Sequence, residues 1–305
     1  MSSRALRKIP SLYSIRPICY SSSRNHVTTP VKQPLSHPIE TDSSQPKTHF
    51  GYKEVPESAK STLVVKEVFS SVASSYDIMN DAMSLGIHRL WKDHFVKSLD
   101  PHGPLNCLDV AGGTADIALR ILDHARLVHS NRETNVTILD INPEMLIEGQ
   151  KKVNRTMYYG GNQVSFKLGD AQDLLGSAGI PDDSMDLYTI AFGIRNCTKI
   201  EDVLKEAYRV LRKGGRFSCL EFGKVGNPAL ASLYETYSFN VIPNLGHILA
   251  GDRDSYQYLV ESIRKFPTQT KFAQMIEDAG FQVSSRKRWE DLSFGVASIH
   301  NGIKV

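Results

Sequence analysis

The chain has 305 residues, 41% of them hydrophobic and 23% charged, with a formal net charge of +3, a balance that excludes a disordered tail or a fibrous repeat. No uncharged apolar run approaches the ~20 residues needed to cross a bilayer, so an integral helical membrane protein is excluded and any membrane contact falls to a surface. Cys19, Cys107, Cys197 and Cys219 contain no C-x-x-C pair; they frame neither a disulfide scaffold nor a zinc ribbon and read as reduced thiols.

The small net charge hides an asymmetry. Arg4, Arg7, Lys8, Arg16, Arg24 and Lys32 precede the first acid, Glu40, so the leader is strongly basic and the remainder carries a net −3. A basic, acid-free, Ser-rich start has the composition of a mitochondrial transit peptide; a disordered basic tail is the alternative. Arg16 and the prolines interrupt every candidate secretory core. Pro30, Pro34, Pro38 and Pro46 mark an extended linker. The predicted organisation is therefore a transit peptide and linker over 1–48 and one domain over 49–305. An acidic body does not suit a nucleic-acid face.

From Pro56-Glu57 a helical stripe begins with Leu63, Val64, Val68, Phe69 and Val72, and a second helix is predicted over Leu90 to Leu99. Then short apolar runs alternate with helical stretches. The predicted strands are Cys107 to Val110, Val136 to Leu139, Val164 to Leu168, Leu187 to Ala191 and Phe217 to Leu220. Helices are predicted over Ala115 to His124, Pro143 to Tyr158 and Glu201 to Leu211. Strand and helix in alternation predict an α/β fold with a parallel sheet covered on both faces. Residues 227–266, rich in aromatics, read as an inserted helical cap, either a substrate lid or plain helical packing. A helix over Thr270 to Ala279 and two strands flanking Asp291 close the chain.

Chemistry concentrates at the strand ends. Leu108-Asp109-Val110-Ala111-Gly112-Gly113-Thr114-Ala115-Asp116 is a strand entering a small-residue turn and a helix, where Gly113 and its neighbours let a ligand approach the backbone. It lacks the G-x-G-x-x-G of a nicotinamide site, and Asp109 would repel a diphosphate while suiting a ligand with an ammonium and a sulfonium. Asp140, at the end of the next predicted strand, can accept from both ribose hydroxyls. Asp170, after the third, can accept from an adenine amine while Ala171 N–H donates to the ring. The plainer readings stay open: Asp109 satisfied by backbone N–H groups, Asp140 and Asp170 as helix caps.

Residues 60–305 resemble the ubiquinone/menaquinone-biosynthesis C-methyltransferases. The matching segments are Val68 through Asp81, Ser84 through Lys92, the Asp109 to Asp116 turn, Phe192 through Asn196, Tyr208 through Gly215 and Leu220-Glu221-Phe222. The resemblance implies the class I SAM-dependent methyltransferase fold, a seven-stranded Rossmann-like sheet with helices on both faces. It implies S-adenosyl-L-methionine (SAM) as methyl donor, held at Thr114, Asp140, Asp170 and Ala171. It also implies C-methylation of a 2-methoxy-6-polyprenyl-1,4-benzoquinol in ubiquinone biosynthesis. The expected setting is peripheral, on the matrix side of the inner mitochondrial membrane, with a multi-subunit complex as partner. A non-catalytic scaffold subunit of that complex is the alternative. The family pattern has glycine where this chain has Ala115, tolerable if its φ is negative, and serine where it has Ala191.

Methylating an aromatic carbon requires electron push from a neighbouring oxygen, so a quinol hydroxyl must lose its proton. Arg195 and Tyr76 are the catalytic candidates: Arg195 to stabilise a phenolate, unless it pairs with Asp77 or Glu221, and Tyr76 to orient or relay the proton. Asn196, Asp77, Asn80 and His88 are secondary ring contacts. No catalytic metal is expected, since H-E-x-x-H is absent and His88 and His94 fall on different helix faces. The membrane-contact candidates are the cap aromatics and Val241 through Leu249.

Overall fold

The alternating pattern folds into the expected parallel sheet, made mixed by one antiparallel strand near its edge, in a computed structural model that describes residues 47–50, 53–56, 80, 81, 84, 86–232 and 253–305. A small antiparallel hairpin, β1 (Lys47–Phe50) and β2 (Lys53–Pro56), comes first. Then follow α1 (Ile87–Leu99), β3 (Asn106–Val110), α2 (Asp116–His129), β4 (Asn135–Asp140), α3 (Pro143–Val153), β5 (Val164–Leu168) and α4 (Leu174–Ala178). The second half comprises β6 (Met185–Ala191), a 3₁₀ turn at Ile194–Asn196, α5 (Ile200–Val210), β7 (Leu211–Phe222), α6 (Arg253–Lys265), α7 (Gln269–Asp278), β8 (Trp289–Leu292) and β9 (Ala297–Ile303). The leader, the stripe from Leu63 to Val72, Tyr76, Asp77 and the cap segment 233–252 lie outside the described residues.

The seven strands order as β5-β4-β3-β6-β7-β9-β8, parallel except at β9, which runs antiparallel to both of its neighbours. Strand order reverses between β3 and β6, and ligands in such sheets bind beyond the carboxyl ends at that crevice. Successive side chains alternate faces. Cys107, Val136, Ile138, Leu187 and Leu220 pack one way with α1 and α2, whereas Leu108, Val110, Leu139, Tyr188, Ile190, Phe217 and Cys219 pack the other way with α5 and α7. Burial on both faces is why these strands read as continuous apolar runs.

Several boundaries differ from the sequence reading: α1 begins at Ile87 and α2 runs on to His129, and three further changes have a local cause. The helix expected to reach Tyr158 ends at Val153, followed by turns in which Thr156 Oγ bonds Val153 O and Tyr158 OH reaches Asp123. The fifth strand of the pattern extends to Leu211–Phe222, carried by backbone pairing with β6 and β9. Asp291 sits inside β8 rather than between two strands; the reversal is the 3₁₀ turn Ser293–Gly295.

Candidate active site

The loops after β3, β4, β5 and β6 enclose an open cleft of about 740 Å³ lined by Ala111, Asp140, Asp170, Ala171, Phe192 and Asn196, among others. A smaller cavity of about 400 Å³ adjoins it, lined by Lys92, Asp109, Thr114, Asp116 and Ala191; Ala111, Met145 and Phe192 belong to both. The two are lobes of one site folded round the Gly112-Gly113 turn.

The carboxylates dictate that turn. Asp140 Oδ2 accepts the Gly113 N–H at 2.9 Å and its Oδ1 accepts the Asn142 N–H at 2.9 Å. A Cβ on Gly113 would lie 2.7 Å from that Oδ2 and 2.6 Å from Met145 Cβ; on Gly112 it would lie 2.6 Å from Asp109 Oδ2. Glycine stands at both positions because side-chain atoms of the acids occupy the space. Burial pushes the Asp140 carboxyl up to about 6, against the pull of the Asn142 and Gly113 N–H groups.

Asp109 is 1% exposed. Its Oδ1 accepts from Thr189 Oγ at 2.8 Å, while its Oδ2 has no hydrogen-bond partner among the described residues. Burial pushes this carboxyl up to about 7, and the Thr189 hydroxyl and the backbone N–H of Ala118 offset only part of that. A buried, half-satisfied acid calls for a donor, preferably a cation.

Asp170 is half-buried and accepts from the backbone and side-chain N–H groups of Gln172. Neither it nor Asp140 caps a helix: α3 is capped by Asn142, with Pro143 at its first position, and α4 by Asp173. Ala115 corrects the sequence reading. Its φ is +63°, and Ala111 and Phe192 share the left-handed region at +52° and +55°, so the turn carries strain where its family pattern has glycine.

Arg195 lies off the cleft wall. Its Nη1 donates to Glu221 Oε1 at 2.8 Å and to Phe192 O at 2.5 Å, with the side chains 2% and 0% exposed. Its guanidinium carbon lies 5.2 Å from the Phe222 ring centroid, in a cluster where Phe222 meets Phe192 at 4.9 Å and Trp91 at 6.3 Å. The pairing with Glu221 that the sequence left open is formed, and Asp77 lies outside the described residues; Nε has no partner among the described residues. His88 is buried and its pKa is pushed down to about 4, by burial first and then by Lys92, with Nδ1 2.8 Å from Ser84 Oγ. That keeps it neutral. Asn196 lines the cleft and accepts from Tyr258 OH at 3.1 Å, which joins α6 to the rim.

Two site residues escaped the sequence reading. Lys92, buried, donates to Asp116 Oδ2 at 2.7 Å at the mouth of the smaller lobe. Burial opposes ionisation of Asp116, but Lys92, Lys152 and Arg120 hold it well below the usual carboxylate range. The signal was available: Lys92 falls on the buried stripe of α1 with His88, Trp91, Phe95, Val96 and Leu99, where a lysine needs a partner.

The profile of the ubiE/COQ5 methyltransferase family matches residues 55–304. This chain belongs to that family. The 2-methoxy-6-polyprenyl-1,4-benzoquinol methylase, mitochondrial, of Schizosaccharomyces pombe is 56% identical over 269 residues, 87% of each chain. The ubiquinone/menaquinone biosynthesis C-methyltransferase UbiE of Roseobacter denitrificans is 49% identical over 265 residues, 87% of this chain and all of that one. A SAM-dependent methyltransferase of Thermotoga maritima superposes with TM-score 0.51 at 18% identity, over 78% of this chain and 99% of that one. The fold is the class I methyltransferase fold. The family member is a methyltransferase whose methyl donor is SAM, and the residues fit that donor: a half-satisfied buried acid, two glycines with no room for a side chain, and further acids at adjacent strand ends.

Proposed function

We propose that this protein C-methylates the ring of a 2-methoxy-6-polyprenyl-1,4-benzoquinol in ubiquinone biosynthesis, in the mitochondrion. The observation that carries the reading is the two-lobed cleft with Asp109, Asp140 and Asp170 at successive strand ends, in a chain whose relatives are named for that activity. SAM, when bound, supplies an electrophilic methyl group. Asp140 takes the ribose hydroxyls, Asp170 and Ala171 the adenine edge, and Asp109, Gly113 and Thr114 the amino-acid end of the donor in the smaller lobe.

The remaining task is to position the ring and stabilise its oxyanion. Arg195, buried behind Phe192 and anchored by Glu221, has no partner for its Nε–H among the described residues and stabilises the oxyanion through its charge; Tyr76 orients the hydroxyl. Glu221 fixes the guanidinium and is a positioning residue. Among the described residues no helix is long and apolar enough to cross a membrane. A tail too apolar for water places the enzyme on the matrix face of the inner membrane, in a complex that hands the substrate over. Residues 1–48 serve as transit peptide and linker, and 227–266 as the cap of the domain 49–305.

The test is to incubate the purified protein with methyl-labelled SAM and a short-tailed methoxybenzoquinol and to locate the label by mass spectrometry. The expected product carries it on a ring carbon; a label on oxygen, or none, overturns the proposal. Calorimetric titration of Asp140→Ala with SAM is expected to show at least about tenfold weaker binding, the loss of charged hydrogen bonds.

A further inference from the structure

At the amino ends of the strands, the edge of the sheet away from the cleft, lies a cluster that none of the chemistry above uses. Asp100 ends α1, with a left-handed φ of +46°. His124 and His129 stand in the last turns of α2, and both present Nε2 to one oxygen of Asp100, at 2.9 and 2.6 Å. Their ring centroids are 5.5 Å apart, and the three donor atoms lie within 4.8 Å of one another. His102 stands beside them, its Nδ1 2.8 Å from Asp100 O and its ring 5.7 Å from that of His129.

We propose that Asp100, His124 and His129 form a binding site for one divalent transition-metal ion of the zinc class, with water completing the coordination. Two imidazole nitrogens and a carboxylate oxygen are the donor set that suits Zn²⁺, Co²⁺, Ni²⁺ or Cu²⁺; Ca²⁺ and Mg²⁺ take oxygen donors. Ligands about 2.0–2.1 Å from a tetrahedral ion stand ~3.3 Å apart, so the separations of 2.9 and 2.6 Å must open by about 0.4 and 0.7 Å, within the reach of side-chain rotation at a partly exposed site. A simple surface ion pair brings one imidazole to a carboxylate oxygen; here two converge from one helix onto an acid fixed by the end of another. The partly exposed side chains leave a path for the ion. Bound metal ties the end of α1 and the entry to β3 to the last turn of α2, a structural staple remote from methyl transfer.

The experiment uses the full chain, stripped with EDTA and titrated with ZnCl₂ by calorimetry in a non-chelating buffer at pH 7.5, with Co²⁺ visible absorption as a second readout. A saturating one-to-one isotherm and cobalt d–d bands are expected for the wild type. Affinity should fall at least about tenfold in His124→Ala and in His129→Ala, and more in the double variant. His94→Ala, whose ring meets Glu290 elsewhere, should bind as the wild type does. Zn²⁺ should raise the melting temperature of the wild type and not that of the double variant, whose fold is checked by circular dichroism. An isotherm that does not saturate, or identical titrations of the wild type and the double variant, overturns the proposal.

Discussion

Asp109 holds its proton more tightly in the folded chain than in the unfolded one, at about 7 against an ordinary 3.8, because burial penalises its charge. The linkage has a definite sign: the native state binds more protons between those values, so this group's contribution to stability is complete below pH 3.8 and is lost as the pH rises through 7. Asp109→Asn keeps an acceptor for Thr189 and removes the decline. In urea melts the variant should be more stable than the wild type at pH 8, with the difference vanishing at pH 4; a less stable variant at pH 8 contradicts the assignment. The same variant is expected to bind SAM at least about tenfold more weakly at pH 8, having lost a charged hydrogen bond. Ala115 poses the opposite case, a strained residue without a polar role. Ala115→Gly relieves about 1–2 kcal/mol of left-handed strain and gives back about 0.4–1 in unfolded-chain entropy. A net gain of about 0.5–1 kcal/mol by thermal or urea unfolding is expected, and none if the turn were relaxed.

Between elements, the Arg195–Glu221 pair joins the 3₁₀ turn after β6 to the end of β7 and separates structure from chemistry. Burial raises the Glu221 carboxyl while Arg195 draws it back. Truncating one partner strands the other's charge, so Arg195→Ala is expected to cost about 3–5 kcal/mol as well as turnover. The double variant Arg195→Met/Glu221→Leu removes both charges and should recover most of the stability without recovering methylation; recovery of both would make the pair purely structural. Helix α1 shows how far pattern reading extends. Its apolar stripe was legible from spacing, but the partner of Lys92 was not, since Asp116 begins a different helix that packs beside α1 on the same face of the sheet. That Arg195 meets Glu221 was equally undecided in the sequence: it depends on β7 lying beside β6.

At the scale of the whole molecule, the parallel sheet puts the two sites at opposite ends, the cleft beyond the carboxyl ends of β3 to β6 and the histidine cluster beyond the amino end of β3. Sites so placed share no partner, so their effects on stability should add. SAM at 100 times its dissociation constant stabilises the fold by about 2.7 kcal/mol. That increment is expected to be the same with and without Zn²⁺ when read as shifts in the urea midpoint; an increment that changes with zinc would show that the ends are coupled.

The sequence by itself determined the strands of the seven-stranded sheet, though not the hairpin β1–β2, and the acids at the strand ends, because each rests on local periodicity or on a turn within a few residues of the strand it follows. Asp109, Asp140, Asp170 and the glycine turn were legible for that reason. Only the tertiary structure decided which donors those acids keep. Asp109 is left half-satisfied by its burial beside Thr189 of the neighbouring strand. Ala115 takes a positive φ because the chain must turn from β3 into α2 within five residues, Ala111 to Ala115. Asp100, His124 and His129 meet only when α2 returns along the sheet to the end of α1. Hydrogen bonds, burial and ion pairing are properties of approach in space, and pairs such as Asp109 with Thr189, 80 residues apart in the chain, leave no periodic trace in sequence.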